Sequence, residues 1–208
     1  YLMGLNIKRL RKNLLDHFTN KNKKFLKEST ILLTNLLRSK KIKNLILFNY
    51  SPKLDKFLYW NQQLLAESLG KKGMGFLPLI STAPKDHHSL LQLYLDGPRD
   101  KIFYIFSEER RDSKKLKIKK FDKRLNFLQN KSLQQVKDAQ KKAFIQTLKK
   151  NGIPFREFKI KNFSENTLGE FISYFLLETA IVGKLSNINP FNQPAVQKVK
   201  IDTKKLLF

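Results

Sequence analysis

The chain has 208 residues with a formal net charge of +25, from 42 lysines and arginines against 17 acidic residues, and it contains no cysteine. This length suffices for one substantial domain, and the lack of cysteine excludes disulfides and thiolate metal sites. A hydrophobic fraction of 41% is enough for a packed core, which argues against wholesale disorder. No signal peptide is recognisable and no apolar run is long enough to span a bilayer, so we expect a cytoplasmic protein with no membrane partner.

The positive charge raises the question of nucleic-acid binding. Lysines are spread along most of the chain and thin out around residues 59–70 and 89–97. An even spread favours compositional drift on solvated faces, and no RRM, zinc finger or arginine-rich arm is present. We therefore expect no specific nucleic-acid partner, although an overall positive potential would favour an anionic substrate.

The first half of the chain predicts helices and strands in alternation. Apolar residues recur at helical spacing twice within the first 40 residues, which predicts two helices. The continuous apolar run over residues 44–50 predicts a strand buried on both faces. Ser51-Pro52 begins a helix predicted to reach Leu69, residues 76–80 form a second strand candidate, and a helix follows from about Asp86 to Leu95.

The second half continues this alternation. A charged stretch at 107–131 follows a third buried strand, and the last helix follows a turn rich in Pro and Asn. The predicted elements are strands at 101–106 and 155–160, the latter more exposed, and helices at 132–151, 164–185 with Ser164 as N-cap, and up to 207. Such an order predicts an α/β fold: a doubly wound, mostly parallel sheet with helices on both faces. Ligands of these folds bind at the carboxyl ends of the strands.

Signatures of several common enzyme classes are absent from the sequence. There is no Walker loop, no GxGxxG after a strand, no His/Glu spacing suited to a metal and no GxSxG nucleophile. We therefore expect neither a metal site nor a cofactor. Three other stretches combine polar residues in ways that are unusual for a structural helix or turn.

The first stretch runs from Trp60 to Lys71 and reads WNQQLLAESLGK. Gln63 and Glu67 are four residues apart, so they share a helix face. Glu67 falls in the last turn, where the helix dipole disfavours a carboxylate, a setting that suits a general base. The alternative is a solvated glutamate that pairs with Lys71 at i+4.

The second stretch runs from Asp86 to Pro98 and contains two adjacent histidines near a predicted helix N-terminus. An exposed histidine there can meet an anionic or hydroxyl-bearing ligand. The alternative is that Asp86 or Ser89 caps the helix and the histidines have no role.

The third stretch ends in the sequence NPFNQPAVQKVK, where a polar turn leads into the last helix. Gln193 and Lys200 are seven residues apart and therefore lie on one helix face. The alternative is an ordinary helix–turn–helix with a solvated lysine.

In this order and spacing, the three stretches resemble the C-terminal half of the glucose-6-phosphate isomerase (phosphoglucose isomerase) family. QQLLAESLGKKGMG, DHHSLLQLYLDGP and LETAIVGKLSNINPFNQPAVQKVK are similar to signature segments of that family. The resemblance implies a sugar-isomerase (SIS) type fold. It implies a helical lead-in over 1–42 that continues from a missing N-terminal domain, a C-terminal SIS domain over 43–185, and an active-site turn and helix over 186–208.

The resemblance also implies roles for five residues in the reversible isomerisation of glucose 6-phosphate to fructose 6-phosphate, a step of glycolysis and gluconeogenesis. Glu67 matches the base that moves a proton between C1 and C2 through a cis-enediol. His88 matches the residue that assists ring opening and comes from the neighbouring subunit of a homodimer, and Lys200 matches the lysine that works with it. Gln63 and Gln193 match glutamines that line the substrate site. No metal or cofactor is implied.

The sequence also departs from the family. Asn192, Ala195, Gln197 and Val199 stand where the family usually has Asp, Gly, Glu and Gly. The family's phosphate loop and Gly-Gly-Arg segment are missing, so the resemblance implies a fragment that is inactive alone. Two alternatives remain open. A phosphosugar-sensing regulatory SIS module would keep the fold and lose the Glu/His/Lys set, and a basic nucleic-acid-binding protein would bind duplexes with a steep salt dependence.

Overall fold

The computed structural model of the chain describes residues 4–19, 22–109, 115 and 123–207. Short 3₁₀ helices occupy Pro52–Leu54 and Lys123–Leu128. The other elements, in chain order, are α1 (Ile7–Arg11), α2 (Asp16–Thr19), α3 (Asn22–Ser39), β1 (Asn44–Asn49), α4 (Asp55–Leu69), β2 (Leu77–Thr82), α5 (Lys85–Ser89), α6 (Leu91–Asp96), β3 (Lys101–Glu108), α7 (Leu133–Lys150), β4 (Phe155–Ile160), α8 (Glu165–Leu185) and α9 (Pro194–Leu206).

The four strands form one parallel sheet in the order β2-β1-β3-β4. β3 and β4 pair in parallel from Phe103 opposite Phe155 to Glu108 opposite Ile160. Leu45, Ile46, Leu47 and Phe48 in β1 are all 0% exposed. Because successive side chains of a strand point to opposite faces, both faces of the sheet are covered at its centre. The predicted α/β class with a doubly wound parallel sheet is therefore confirmed.

The chain divides into two compact units. The first comprises Tyr1–Asn44, Tyr59–Pro78 and Ser164–Phe208, and therefore α1–α3, α8, α9 and most of α4. The second comprises Leu45–Leu58 and Leu79–Phe163, and therefore most of the sheet with α5, α6 and α7. The domain boundaries expected from the resemblance, after residues 42 and 185, stay a prediction.

The second unit has an aromatic core centred on Phe48 of β1. Its ring lies 4.9 Å from that of Phe144 in α7, 6.4 Å from that of Phe103 in β3 and 6.2 Å from that of Tyr94 in α6. Each such ring contributes on the order of 1.5–3 kcal/mol by burial, and ring pairs add about 0.5–1.5 kcal/mol. The phenylalanine-rich composition thus fixes α6 and α7 on one face of the sheet.

The first unit is organised around α8, which packs against α1 and α3. Gly169 lets the backbone of α1 approach closely, because a Cβ at this position would lie 1.8 Å from the carbonyl oxygen of Leu10. Further along α8, Glu178 is 0% exposed. Its carboxylate accepts hydrogen bonds from Tyr174 at 2.6 Å and from Ser29.

Two predicted helices are interrupted. The first predicted helix forms α1 and α2 with a turn between them, and the helix predicted over residues 86–95 begins at Lys85 and breaks into α5 and α6. Leu90 leaves helical geometry (φ −122°, ψ −13°), and the Ser89 hydroxyl donates to Asp86 Oδ1 at 3.0 Å. Such local side-chain bonds compete with the helix.

The charged stretch predicted at residues 107–131 is only partly described, since residues 110–114 and 116–122 lie outside the described part of the chain. In the parts of the chain that the structure describes, no helix is long and apolar enough to cross a membrane. No group of three or more His, Asp or Glu side chains there could hold a metal ion.

Candidate active site

Glu67 lies half-buried in the last turn of α4, with an amide on each of its carboxylate oxygens. Gln63 Nε2 donates to Oε1 at 2.9 Å, so the two residues share a helix face as predicted. Gln193 Nε2 donates to Oε2 at 2.6 Å across 126 residues of sequence. Each carboxylate oxygen can still accept a second hydrogen bond or a proton. The two amides therefore orient the carboxylate and leave it able to act as a base.

Gln193 reaches Glu67 because it immediately precedes α9, with Pro194 as the first helical residue. Its backbone is neither helical nor extended (φ −137°, ψ 64°), and its carbonyl accepts the first helical bond from Gln197 at 3.1 Å. The Asn189 side chain stabilises the preceding turn by accepting from Phe191 N at 2.9 Å. The turn chemistry thus fixes the direction in which the Gln193 amide points.

A pocket of about 830 Å³ adjoins this carboxylate within the first unit. That volume lies in the usual range of small-molecule sites. The charged side chains that line the pocket are Glu67, Lys71 and Lys72. The full lining is Ala66, Glu67, Gly70, Lys71, Lys72, Gly73, Met74, Ile188, Asn189, Asn192, Gln193, Pro194, Ala195 and Val196.

Lys71 does not form the i+4 ion pair with Glu67 that the sequence made possible. Its Nζ donates to the carbonyl oxygens of Ser68 at 3.1 Å and Asn189 at 2.8 Å. Burial lowers the pKa of the Lys71 ammonium, and the negative charge of Glu67 opposes that shift. The Glu67 carboxylate and the Lys71 ammonium therefore share the pocket without forming a contact ion pair.

Lys200 lies on α9 and is exposed. Its side chain makes no hydrogen bond or ion pair with any residue that the structure describes. Of the five residues assigned by resemblance, the structure thus brings Gln63, Glu67 and Gln193 together, and it does not join Lys200 to them.

His88 belongs to the second unit and is exposed on α5, and its side chain makes no hydrogen bond or ring contact with the described residues. Its neighbour His87 is half-buried. Tyr50 Oη and His87 Nε2 lie 2.5 Å apart, and the His87 ring lies 5.5 Å from that of Phe48. Burial lowers the pKa of His87 and raises the pKa of Tyr50. His87 is therefore held by its packing and its contact with Tyr50, whereas the side chain of His88 is exposed to solvent.

Asp86 immediately precedes the two histidines in α5, and its side chain is only 4% exposed. Its Oδ2 accepts from Thr82 N at 2.7 Å and from the Ser81 hydroxyl at 2.9 Å, both of which precede the helix. Burial raises the pKa of Asp86, but these hydrogen bonds, with those of Ser89 and the charge of Lys85, outweigh burial and hold the pKa below its ordinary value. The Asp86 side chain thus ties α5 to the end of β2.

The amino-acid sequence did not predict the contacts that Lys72 makes with the turn that follows α8. Lys72 Nζ donates to the carbonyl oxygen of Asn187 at 3.0 Å. A Lys-Lys-Gly run after a helix predicts only a loop, because nothing local indicates which carbonyl a long side chain will meet.

No protein-family model matches the chain. Curated proteins named glucose-6-phosphate isomerase do match it. That of Methanocaldococcus jannaschii is 32% identical over 184 residues, which cover 86% of this chain and 45% of the relative. That of Lactobacillus helveticus is 37% identical over 170 residues, covering 81% and 38%. That of Mycoplasmopsis pulmonis is 34% identical over 185 residues, covering 84% and 42%.

Solved structures share the fold. A hypothetical protein from Thermus thermophilus superposes with a TM-score of 0.83 at 24% identity, over 98% of this chain and 51% of that one. A glucose-6-phosphate isomerase from Chlamydia trachomatis superposes with a TM-score of 0.64 at 17% identity, over 80% and 35%.

These relatives confirm the resemblance found in the sequence: over most of its length the chain is related to proteins of the glucose-6-phosphate isomerase family. It spans less than half the length of the curated relatives it matches.

Proposed function

We propose that this chain carries the proton-transfer base of the reversible isomerisation of glucose 6-phosphate to fructose 6-phosphate, and that Glu67 is that base. The observation that carries the proposal is the carboxylate of Glu67 held by Gln63 and Gln193 at the edge of a pocket of about 830 Å³. The curated relatives that match the chain bear the name of this activity.

The chemistry needs one base that serves two carbon atoms. Glu67 takes the proton from C2 of the open-chain aldose, and the electron pair of the broken C–H bond becomes the C1–C2 double bond. The π pair of the C1 carbonyl takes a proton from water, which gives a cis-enediol. The C2 hydroxyl then gives its proton back to water as the C2 carbonyl forms, and the pair of the C1–C2 double bond takes the Glu67 proton at C1, which gives the ketose. A carboxylate oriented by two amides suits this exchange because it need not reorganise between the two steps.

We assign His88 and Lys200 to ring opening and Gln63 and Gln193 to the lining of the substrate site. We further propose a homodimer in which His88 of one protomer serves the pocket of the other. In support, His88 is exposed on a helix anchored by Asp86 and His87, and it has no partner among the described residues. In chimeric subunits, where this chain replaces the matching segment of the Methanocaldococcus jannaschii relative, mixing Glu67→Gln subunits with His88→Ala subunits should then restore part of the activity that each variant lacks alone. A mixture as inactive as its parts would refute the shared site.

A chimera tests the base directly. This chain replaces the 184-residue segment of the Methanocaldococcus jannaschii relative that it matches, and conversion of fructose 6-phosphate is followed together with exchange of its C1 proton into D₂O. We expect an active chimera whose kcat falls roughly 10³-fold with Glu67→Gln, the usual contribution of a general base, while KM changes little. The matched control is Glu28→Gln on an exposed face of α3, which should leave the rate unchanged.

Two outcomes would overturn the proposal: a folded chimera without activity, or a Glu67→Gln chimera that retains proton exchange. Binding of the sugar phosphate without turnover would favour a phosphosugar-sensing module instead. We also propose that the 208-residue chain alone is inactive, because no arginine among the described residues lines the pocket to stabilise an enediolate. Turnover by the isolated chain would refute that point.

A further inference from the structure

Two consecutive lysines connect the end of α4 to the turn between α8 and α9. Lys71 Nζ donates to the carbonyl oxygen of Asn189 at 2.8 Å, and Lys72 Nζ donates to that of Asn187 at 3.0 Å. The donors are adjacent in sequence and the acceptors are two residues apart. Two such bonds restrain the turn more than one would, because they prevent it from pivoting about a single point. We call Lys71 and Lys72 the lysine clamp.

The turn held by the clamp leads directly to Gln193. The Asn189 side chain accepts a hydrogen bond from Phe191 N at 2.9 Å. Gln193 follows two residues after Phe191 and immediately precedes α9. Gln193 Nε2 then donates to Glu67 Oε2 at 2.6 Å. A rotation of the turn about the end of α8 would carry the Gln193 amide away from the carboxylate.

The backbone at Lys72 has a conformation that lysine rarely adopts. Lys72 has φ +54°, in the left-handed region that side chains other than glycine, asparagine and aspartate rarely adopt. Gly73 follows with φ +68°, so glycine already serves this loop at the next position. Lys40 has nearly the same backbone conformation at φ +55°, so the case for a role of the Lys72 side chain rests on its hydrogen bond to the carbonyl of Asn187.

We propose that Lys71 and Lys72 are positioning residues that hold the turn after α8 on the end of α4 and thereby keep the Gln193 amide on the carboxylate of Glu67. The structural part of this inference stands alone, and its catalytic consequence rests on the proposed function of Glu67. Both lysines act through Gln193 and are not assigned contact with the reacting atoms.

The structural test uses the ¹⁵N-labelled 208-residue chain. The side-chain amide resonance of Gln193 is assigned by its loss in Gln193→Met. In Lys71→Met and Lys72→Met this resonance should move toward that of a solvated glutamine, with amide exchange roughly tenfold faster. Lys184→Met is the matched control, since Lys184 is exposed in the last turn of α8 and its side chain donates no hydrogen bond to the described residues. It should leave the Gln193 resonance unchanged.

Lys72→Gly separates positioning from stability. Glycine adopts φ +54° without penalty, so the midpoint of thermal unfolding should stay the same or rise although the clamp has lost a donor. In the chimera described above, this variant should lower kcat roughly tenfold at nearly constant KM. A purely structural lysine would instead change the unfolding midpoint and leave kcat unaffected.

An unchanged Gln193 resonance in both methionine variants would overturn the clamp, whatever the activity. If the unaltered chimera is inactive, the proposed function fails while the Gln193 resonance still decides the clamp. A shifted Gln193 resonance with unchanged kcat in an active chimera would confine the clamp to a structural role and overturn its catalytic consequence.

Discussion

Replacing Asp86 by alanine should destabilise the chain by about 3 kcal/mol. The Asp86 carboxylate is 4% exposed and accepts from Thr82 N at 2.7 Å and from the fully buried Ser81 at 2.9 Å. Bonds to a charged acceptor contribute about 1.5–3 kcal/mol each, and relief of the carboxylate's desolvation returns part of their sum. For a chain of this size, a loss of about 3 kcal/mol lowers the unfolding midpoint by roughly 6–12 °C.

The effect should depend on pH with a definite sign. The pKa of Asp86 is held below its ordinary value, so its contribution to stability is complete above the unfolded pKa of about 4 and is lost as the pH falls through the lower folded pKa. The difference in unfolding free energy between the unaltered chain and Asp86→Ala should therefore be constant from about pH 8 to about pH 5 and narrow below about pH 4.

Urea denaturation followed by circular dichroism measures this difference at each pH. Asp96→Ala is the matched control, because the Asp96 side chain is exposed and, among the described residues, accepts only from Gln92 at 3.0 Å; it should cost less than about 0.5 kcal/mol. The reasoning is refuted if Asp86→Ala costs no more than the control, or if the difference persists undiminished to about pH 3.

Two further substitutions test other parts of the fold. Burial lowers the pKa of His87, so the unfolded chain binds more protons than the folded chain and the protein loses stability as the pH falls through about 6.5. The midpoint of thermal unfolding should therefore fall less between about pH 7 and 5 in His87→Phe than in the unaltered chain. An equal fall in both would contradict this account. Gly169→Ala would place a Cβ 1.8 Å from the Leu10 carbonyl oxygen, so α1 must move. This movement should lower the free energy of unfolding by about 1–3 kcal/mol, which outweighs the gain of about 1 kcal/mol in helix propensity. Hydrogen exchange should accelerate in α1, and a variant more stable than the unaltered chain would rule out the close approach.

Much of the fold could be predicted because it depends on local patterns. The apolar runs that predict β1 and β3 are strands in the structure, and Ser164 caps α8 as predicted, with its hydroxyl accepting from Thr167 N at 3.4 Å. The break after Ser89 could not be predicted in the same way. It coincides with Asp86 binding partners at the end of β2, so it depends on where another element lies.

The sequence alone determined the fold class, the shared face of Gln63 and Glu67, and the three stretches that carry the family resemblance. Only the tertiary structure decided that Gln193 donates to Glu67 across 126 residues. It also decided that Lys71 donates to backbone carbonyls rather than to Glu67, and that His87 is packed while His88 is displayed. The physical reason is the range of the interactions. Periodicity and capping act over a few residues of sequence, whereas a long polar side chain binds whatever backbone group the packing of distant elements places within its reach.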